Sequence, residues 1–259
     1  MGSRAFRFIF LTILLTYSGC AARAQGYGFA SPPVEIFRDG PLVEQVWELD
    51  DRDAGWLNAL DPPPTPAVAR FREAIRTRVG DVNPFTILER EEARWTGSAD
   101  PVEQQELRNT QRVKKRQVGV IRKLSGLEMA LLDAQLARVP DMAEKPAEFQ
   151  AFVLRHGPRW RIYFVASDTP YPPKPVHVLP AVQKDVSSGW TLAEHVHVHT
   201  FEQGGGRNVG LGTPAPSSND VQFYRMLADE YGLERAAVTN GFDTIEVQAS
   251  ELGKLEARE

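Results

Sequence analysis

The sequence predicts an α/β chain, α+β in its layering, with a mixed β-sheet flanked by helices and a largely helical N-terminal extension. Three observations carry this reading. From residue 120 onward, apolar runs of strand length alternate with capped runs of helical period, in the order helix, hairpin, strand, helix, hairpin. The 259 residues suffice to bury a sizeable core. A composition of 42% hydrophobic and 25% charged residues is that of an ordinary globular protein.

Residues 1–24 read as an export signal. Arg4 and Arg7 form a positive start, and Phe8 to Tyr17 is an apolar stretch too short to span a bilayer. Ala22-Arg-Ala24 supplies a small-x-small cleavage site. Tyr17-Ser-Gly-Cys20 resembles a bacterial lipobox, in which the cysteine carries a lipid; the alternative is that Cys20 is incidental within a discarded peptide. The expected location is exported: periplasmic, or the outer membrane as a lipoprotein, rather than fully secreted. Cys20 is the only cysteine, so neither a disulfide nor a cysteine-based zinc site is available. The formal charge of −4, made more negative once this basic segment is set aside, argues against a nucleic-acid partner.

Residues 25–119 form the extension. Residues 25–45 are rich in Gly and Pro and read as an exposed lead-in. Pro62 to Pro66 is a stiff connector. Val68, Phe71 and Ile75 make one stripe of a helix over Ala67 to Val79, and a polar helix covers Val102 to about Arg116. That helix ends in Arg112-Val-Lys-Lys-Arg116, cations at the negative end of a helix dipole, which a solvated helix end explains without an anionic partner. Nothing in residues 25–115 carries recognisable chemistry.

Residues 120–259 are the domain proper. Ser125-Gly-Leu-Glu128 is a capping box opening a helix that must stop before Pro140. Phe149 to Leu154 and Arg161 to Ala166 are strands joined by the hairpin signal Arg155-His-Gly-Pro158. Trp190 to Thr200 is a third strand. A helix runs from Ser217 or Ser218 as N-cap to about Tyr231, with Gly232 as a left-handed C-cap. Asn240-Gly241, between two further strands, predicts a type I′ hairpin turn.

The third strand reads His195-Val-His197-Val-His199, so alternation puts three imidazoles on one face. Two of them at i and i+2 have Cβ atoms roughly 6.5–7 Å apart, a gap one metal ion can bridge. His197 and His199 are the candidate ligands, and Asp220 supplies a third, leaving a position for water as catalytic zinc sites do. A half-buried strand with a polar face would place the same histidines, and His195, one repeat deeper, is either a supporting residue or simply packed. Ser217 and Asp220 also have an ordinary reason to sit at a helix start. Glu194 shares the valine face and points away from the imidazoles. Glu148 opens the strand after the capped helix, as a base or as an edge charge. The intervening Gly204 to Gly212 loop lacks the Gly-Lys-Ser/Thr of a phosphate cradle.

Pro146-Ala-Glu148-Phe149, then His197-Val-His199, then Ala215-Pro-Ser217-Ser-Asn-Asp220 resembles, in order, the motif of the JAMM (MPN-plus, or JAB) metalloproteases. The resemblance covers about residues 120–250. It departs from the family at Val198, where Ser or Thr is usual, at Thr200, where Pro is usual, and in a longer stretch between His199 and Asp220. It implies a JAMM/MPN-like fold with cytidine-deaminase-like layering and a zinc hydrolase of peptide or isopeptide bonds. His197, His199 and Asp220 would hold Zn²⁺, Glu148 would act as the general base, and Ser217 would stabilise the oxyanion. The implied partner is a protein or peptide substrate. Since family members that remove ubiquitin work inside cells, an exported member would cut something else, such as an envelope protein or a peptide crosslink. A catalytically inactive binding or scaffold module of the same fold is the alternative. A deaminase-type site, which needs a cysteine pair, is not available.

Overall fold

The computed structural model describes residues 28–201 and 212–258, so the export segment, Cys20 and most of the Gly-rich loop lie outside the described residues. In chain order these residues form β1 (Val34–Asp39), β2 (Leu42–Asp50), α1 (Asp51–Ala54), α2 (Pro66–Val79), α3 (Pro84–Trp95), α4 (Pro101–Lys114), β3 (Val120–Lys123) and α5 (Gly126–Arg138). There follow β4 (Phe149–His156), β5 (Arg159–Ala166), α6 (Val178–Ser187), β6 (Thr191–Val198), α7 (Ser218–Tyr231), β7 (Arg235–Thr239), β8 (Asp243–Gln248) and a closing 3₁₀ turn at Ala249–Lys254. None of the described helices is long and apolar enough to cross a membrane.

The fold is mixed α/β, built on one open sheet in the order β1-β2-β5-β4-β6-β7-β8-β3. All neighbours are antiparallel except β6 and β7, which run parallel and are joined through α7. A parallel pair requires such a crossover, and the crossover delivers the start of α7 to the end of β6. Strand parity divides the core in two. Val196, Val198, Ala151 and Val153 face α2 and α5, where Phe71, Ile75, Leu131 and Leu132 are buried. On the other face Phe152 and Leu154 pack with Val182 of α6 and Val221, Tyr224 and Leu227 of α7. Covered on both sides, β4 is buried continuously from Phe149 to Leu154.

Several local expectations hold. The Ser125 capping box forms in both directions, with Ser125 N–H donating to Glu128 Oε2 at 2.7 Å. Gly232 closes α7 at φ 69°. Glu194 does lie on the valine side, paired with Arg235 at 2.9 Å beside Arg122, which in turn grips Glu128 at 2.8 Å. The basic run at the end of α4 is answered locally, Arg112 by Glu256 and Lys114 by Glu92.

Others need correction. Residues 25–45 are not merely a lead-in, because β1 and β2 add two strands to the sheet through eight residue pairs between β2 and β5. Leu42, Val43 and Val46 alternate with Glu44 and Gln45 too irregularly for period-two reading to find a strand. The Asn240-Gly241 connection is a hairpin, but not type I′: only Gly241 has positive φ, at 86°. Asn240 instead turns its side-chain oxygen to accept from the N–H groups of Phe242 and Asp243, at 2.9 and 3.0 Å, an Asx-type turn. The third strand ends at Val198, so His199 stands one residue beyond it.

Candidate metal centre

β4 and β6 run antiparallel with Gln150 opposite His197 and Phe152 opposite His195. Opposed residues share a face, so the register brings the even positions of β4 onto the histidine side, with Glu148 just ahead of the strand on the same parity. Glu148 Oε2 lies 3.2 Å from His197 Nε2. On the far side of that ring, His197 Nδ1 is 3.2 Å from Asp220 Oδ1, and His199 Nε2 is 3.1 Å from Asp220 Oδ2. Ligand atoms of His197, His199 and Asp220 all lie within 4.8 Å of one another, close enough for one metal ion to take all three.

Two of the three donors, His199 and Asp220, are held from behind. Although outside β6, His199 is pinned by its own N–H, which donates to Thr239 O of β7 at 2.8 Å. Its Nδ1–H donates to the Thr213 carbonyl at 2.7 Å, the usual second contact of a metal-bound histidine, which leaves Nε2 to face Asp220. Thr213 is itself placed by Gly212. The Asn240 amide donates to Gly212 O at 2.8 Å, and a Cβ on Gly212 would meet the Phe201 ring at 2.6 Å. Asp220 sits in the first turn of α7. Ser217 N–H and Oγ–H both donate to Asp220 Oδ2, at 2.8 and 2.7 Å, while Asp220 N–H donates to Ser217 Oγ at 3.1 Å.

The electrostatics match a site built for positive charge. Burial alone would lower the His197 pKa, but the Asp220 carboxylate, helped by Glu148, raises it to about 10. His199 is raised against its burial by Asp220. Asp220, despite burial, is held well below the usual carboxylate range by the two imidazoles. Asp220 thus favours the charged form of both imidazoles, positive charge where a dication would stand, and three converging donors of the N, N, O type suit zinc among other divalent ions.

The structure therefore brings together His197, His199, Asp220, Glu148 and Ser217. It separates His195 from them. That ring donates Nε2–H to Gln150 at 3.0 Å, packs edge-on to Phe152 and beside Tyr224, and is drawn down to about 3 by burial and by His197, so it is neutral packing behind the site. Sequence reasoning missed Thr213, whose backbone carbonyl carries no side-chain signal, and saw Asn240 only as a turn residue. It also missed Glu106 of α4, half-buried, and Glu91 of α3, buried, both raised chiefly by desolvation. Glu106 accepts from Ser218 N–H at 3.0 Å and Ser218 Oγ–H at 2.6 Å, and nothing in a polar helix marks that partnership. No protein-family model, curated protein or solved structure matches this chain.

Proposed function

We propose that the chain is a zinc-dependent peptidase or isopeptidase of the JAMM type. The observation that carries this is the seating of Glu148 beside the His197, His199 and Asp220 donors, 3.2 Å from the His197 ring. His197, His199 and Asp220 would hold the ion, and the donor set and stored positive charge fit it. A bound zinc ion supplies Lewis acidity, bringing the pKa of water toward about 7 and polarising a carbonyl. Glu148, buried and next to the donors, accepts the proton of the attacking water and returns it to the leaving amine, so its carboxylate is regenerated each cycle. Ser217 fixes the Asp220 carboxylate through two donated hydrogen bonds and offers its hydroxyl to a developing oxyanion when that hydroxyl rotates. Thr213 and Thr239 hold the His199 ring and backbone against rotation during these steps.

With residues 1–24 read as an export signal, the substrate is an envelope protein or peptide crosslink rather than an intracellular ubiquitin conjugate. The test is metal analysis combined with peptide-library hydrolysis. Purified protein should hold about one zinc, and Glu148→Gln should keep the ion while losing cleavage. Folded protein that takes up no divalent ion would end this reading; metal-replete protein that cleaves nothing would point to the binding or scaffold alternative.

A further inference from the structure

We infer that Glu106, on the helical segment ahead of the resemblance, is a positioning residue for Asp220, so that α4 forms part of the metal centre. This rests on the reading of His197, His199 and Asp220 as metal ligands.

Ser218 is the first residue of α7 and fully buried. Its N–H is one of the groups at a helix start that the helix itself does not bond. Ser217 serves the N–H of Asp220, and the Asp220 carboxylate serves the N–H of Ser217, but neither reaches Ser218. Glu106 does. Its two oxygens accept from Ser218 N–H at 3.0 and 3.1 Å, and Oε1 also accepts from Ser218 Oγ–H at 2.6 Å. The same residue is held from the other side, since Ser218 O accepts from Arg258 N–H at 3.1 Å.

α4 also secures that tail. Asn109, three residues after Glu106 and so on the same helical face, exchanges two hydrogen bonds with the Glu256 backbone, at 2.8 and 2.7 Å. Arg108 pairs with the Glu256 carboxylate at 2.6 Å. Ser218 is therefore clamped between α4 and a tail that α4 itself holds. Asp220 is two residues further along the same helical turn, so the position of its carboxylate follows from this clamp. Without Glu106, a buried N–H and a buried hydroxyl lose their partner, and the first turn must shift to find another. A shift of the turn carries Asp220 away from the two imidazoles.

The test uses the full chain. Wild type, Glu106→Ala, Glu106→Gln and Ser218→Ala are titrated with Zn²⁺ against a chromophoric chelator, and their Co²⁺ absorption spectra are compared; far-ultraviolet circular dichroism checks folding. Loss of such a supporting contact costs roughly 10–100-fold in metal affinity. Glu106→Ala should show that loss with an altered Co²⁺ spectrum. Glu106→Gln, which keeps one acceptor, should recover part of it, and Ser218→Ala should weaken binding less than Glu106→Ala. Should Glu106→Ala not fold, the other two variants carry the comparison. Folded variants that keep wild-type affinity and an unchanged Co²⁺ spectrum would overturn the inference and leave the metal centre standing. A wild-type chain that binds neither ion would overturn the metal reading itself, and this inference with it.

Discussion

Glu148 and His197 meet across the β4–β6 pair, Oε2 to Nε2 at 3.2 Å, with the imidazole between that carboxylate and Asp220. A buried acid two residues off the Gln150–His197 register pair is thereby kept within reach of the metal donors without being one of the three that converge. Removing its charge while keeping its shape should separate binding from chemistry. Glu148→Gln is expected to hold metal within a few-fold of wild type and to lower kcat by about 10²–10⁴-fold, the range of general base catalysis. Metal analysis and peptide cleavage on the same preparation check this; a variant that loses its ion would make Glu148 a ligand instead.

Ion uptake should release protons. With His197 raised to about 10 by Asp220 and Glu148, the ion-free ring is protonated at neutral pH, and a metal must displace that proton. Apparent affinity should therefore rise with pH up to about 10. Calorimetric titration in buffers of differing ionisation enthalpy measures the release, and buffer-independent heats would contradict it.

The same shift sets the pH dependence of the ion-free fold. A folded pKa above the unfolded value contributes stability fully present below about 6.5. That contribution is lost as pH rises toward about 10. Asp220, shifted down, contributes above its ordinary value near 4 and loses that contribution as pH falls. Denaturant midpoints of ion-free protein should decline from neutral to alkaline pH, and excess zinc should flatten the decline.

Gly212→Ala should damage the site from a distance. The position has φ +61°, and an added Cβ would stand 2.6 Å from the Phe201 ring, so the Thr213 carbonyl must move off His199. Metal affinity should fall about tenfold or more, with the melting temperature lowered modestly. Unchanged affinity in a chelator competition would mean that the Thr213 contact does not orient His199.

Ser217→Ala should cost about 1 kcal/mol of stability as a lost helix cap. If the hydroxyl also serves an oxyanion, kcat should fall roughly 10²-fold while the ion is retained. Thermal unfolding and kinetics read the two effects separately; a stability loss with unchanged kcat would confine Ser217 to capping.

Local chemistry made much of this molecule legible in its sequence. The Ser125 box, the Ser217 cap, Gly232 and the alternation through His195, Val196, His197, Val198 and His199 all act within a few residues, so period and cap chemistry suffice to read them. Parity even separated Glu194 from the imidazoles. Which strand lies beside which, and in what register, is fixed by burial summed over the whole sheet. Only the tertiary structure could therefore set Glu148 opposite the histidines, leave His195 behind them against Gln150, and bring β1 and β2 to the far edge. Supporting contacts are less legible still. A backbone carbonyl at Thr213 has no residue signature, and Glu106 looks like any solvated helix glutamate until α4 is packed against the first turn of α7.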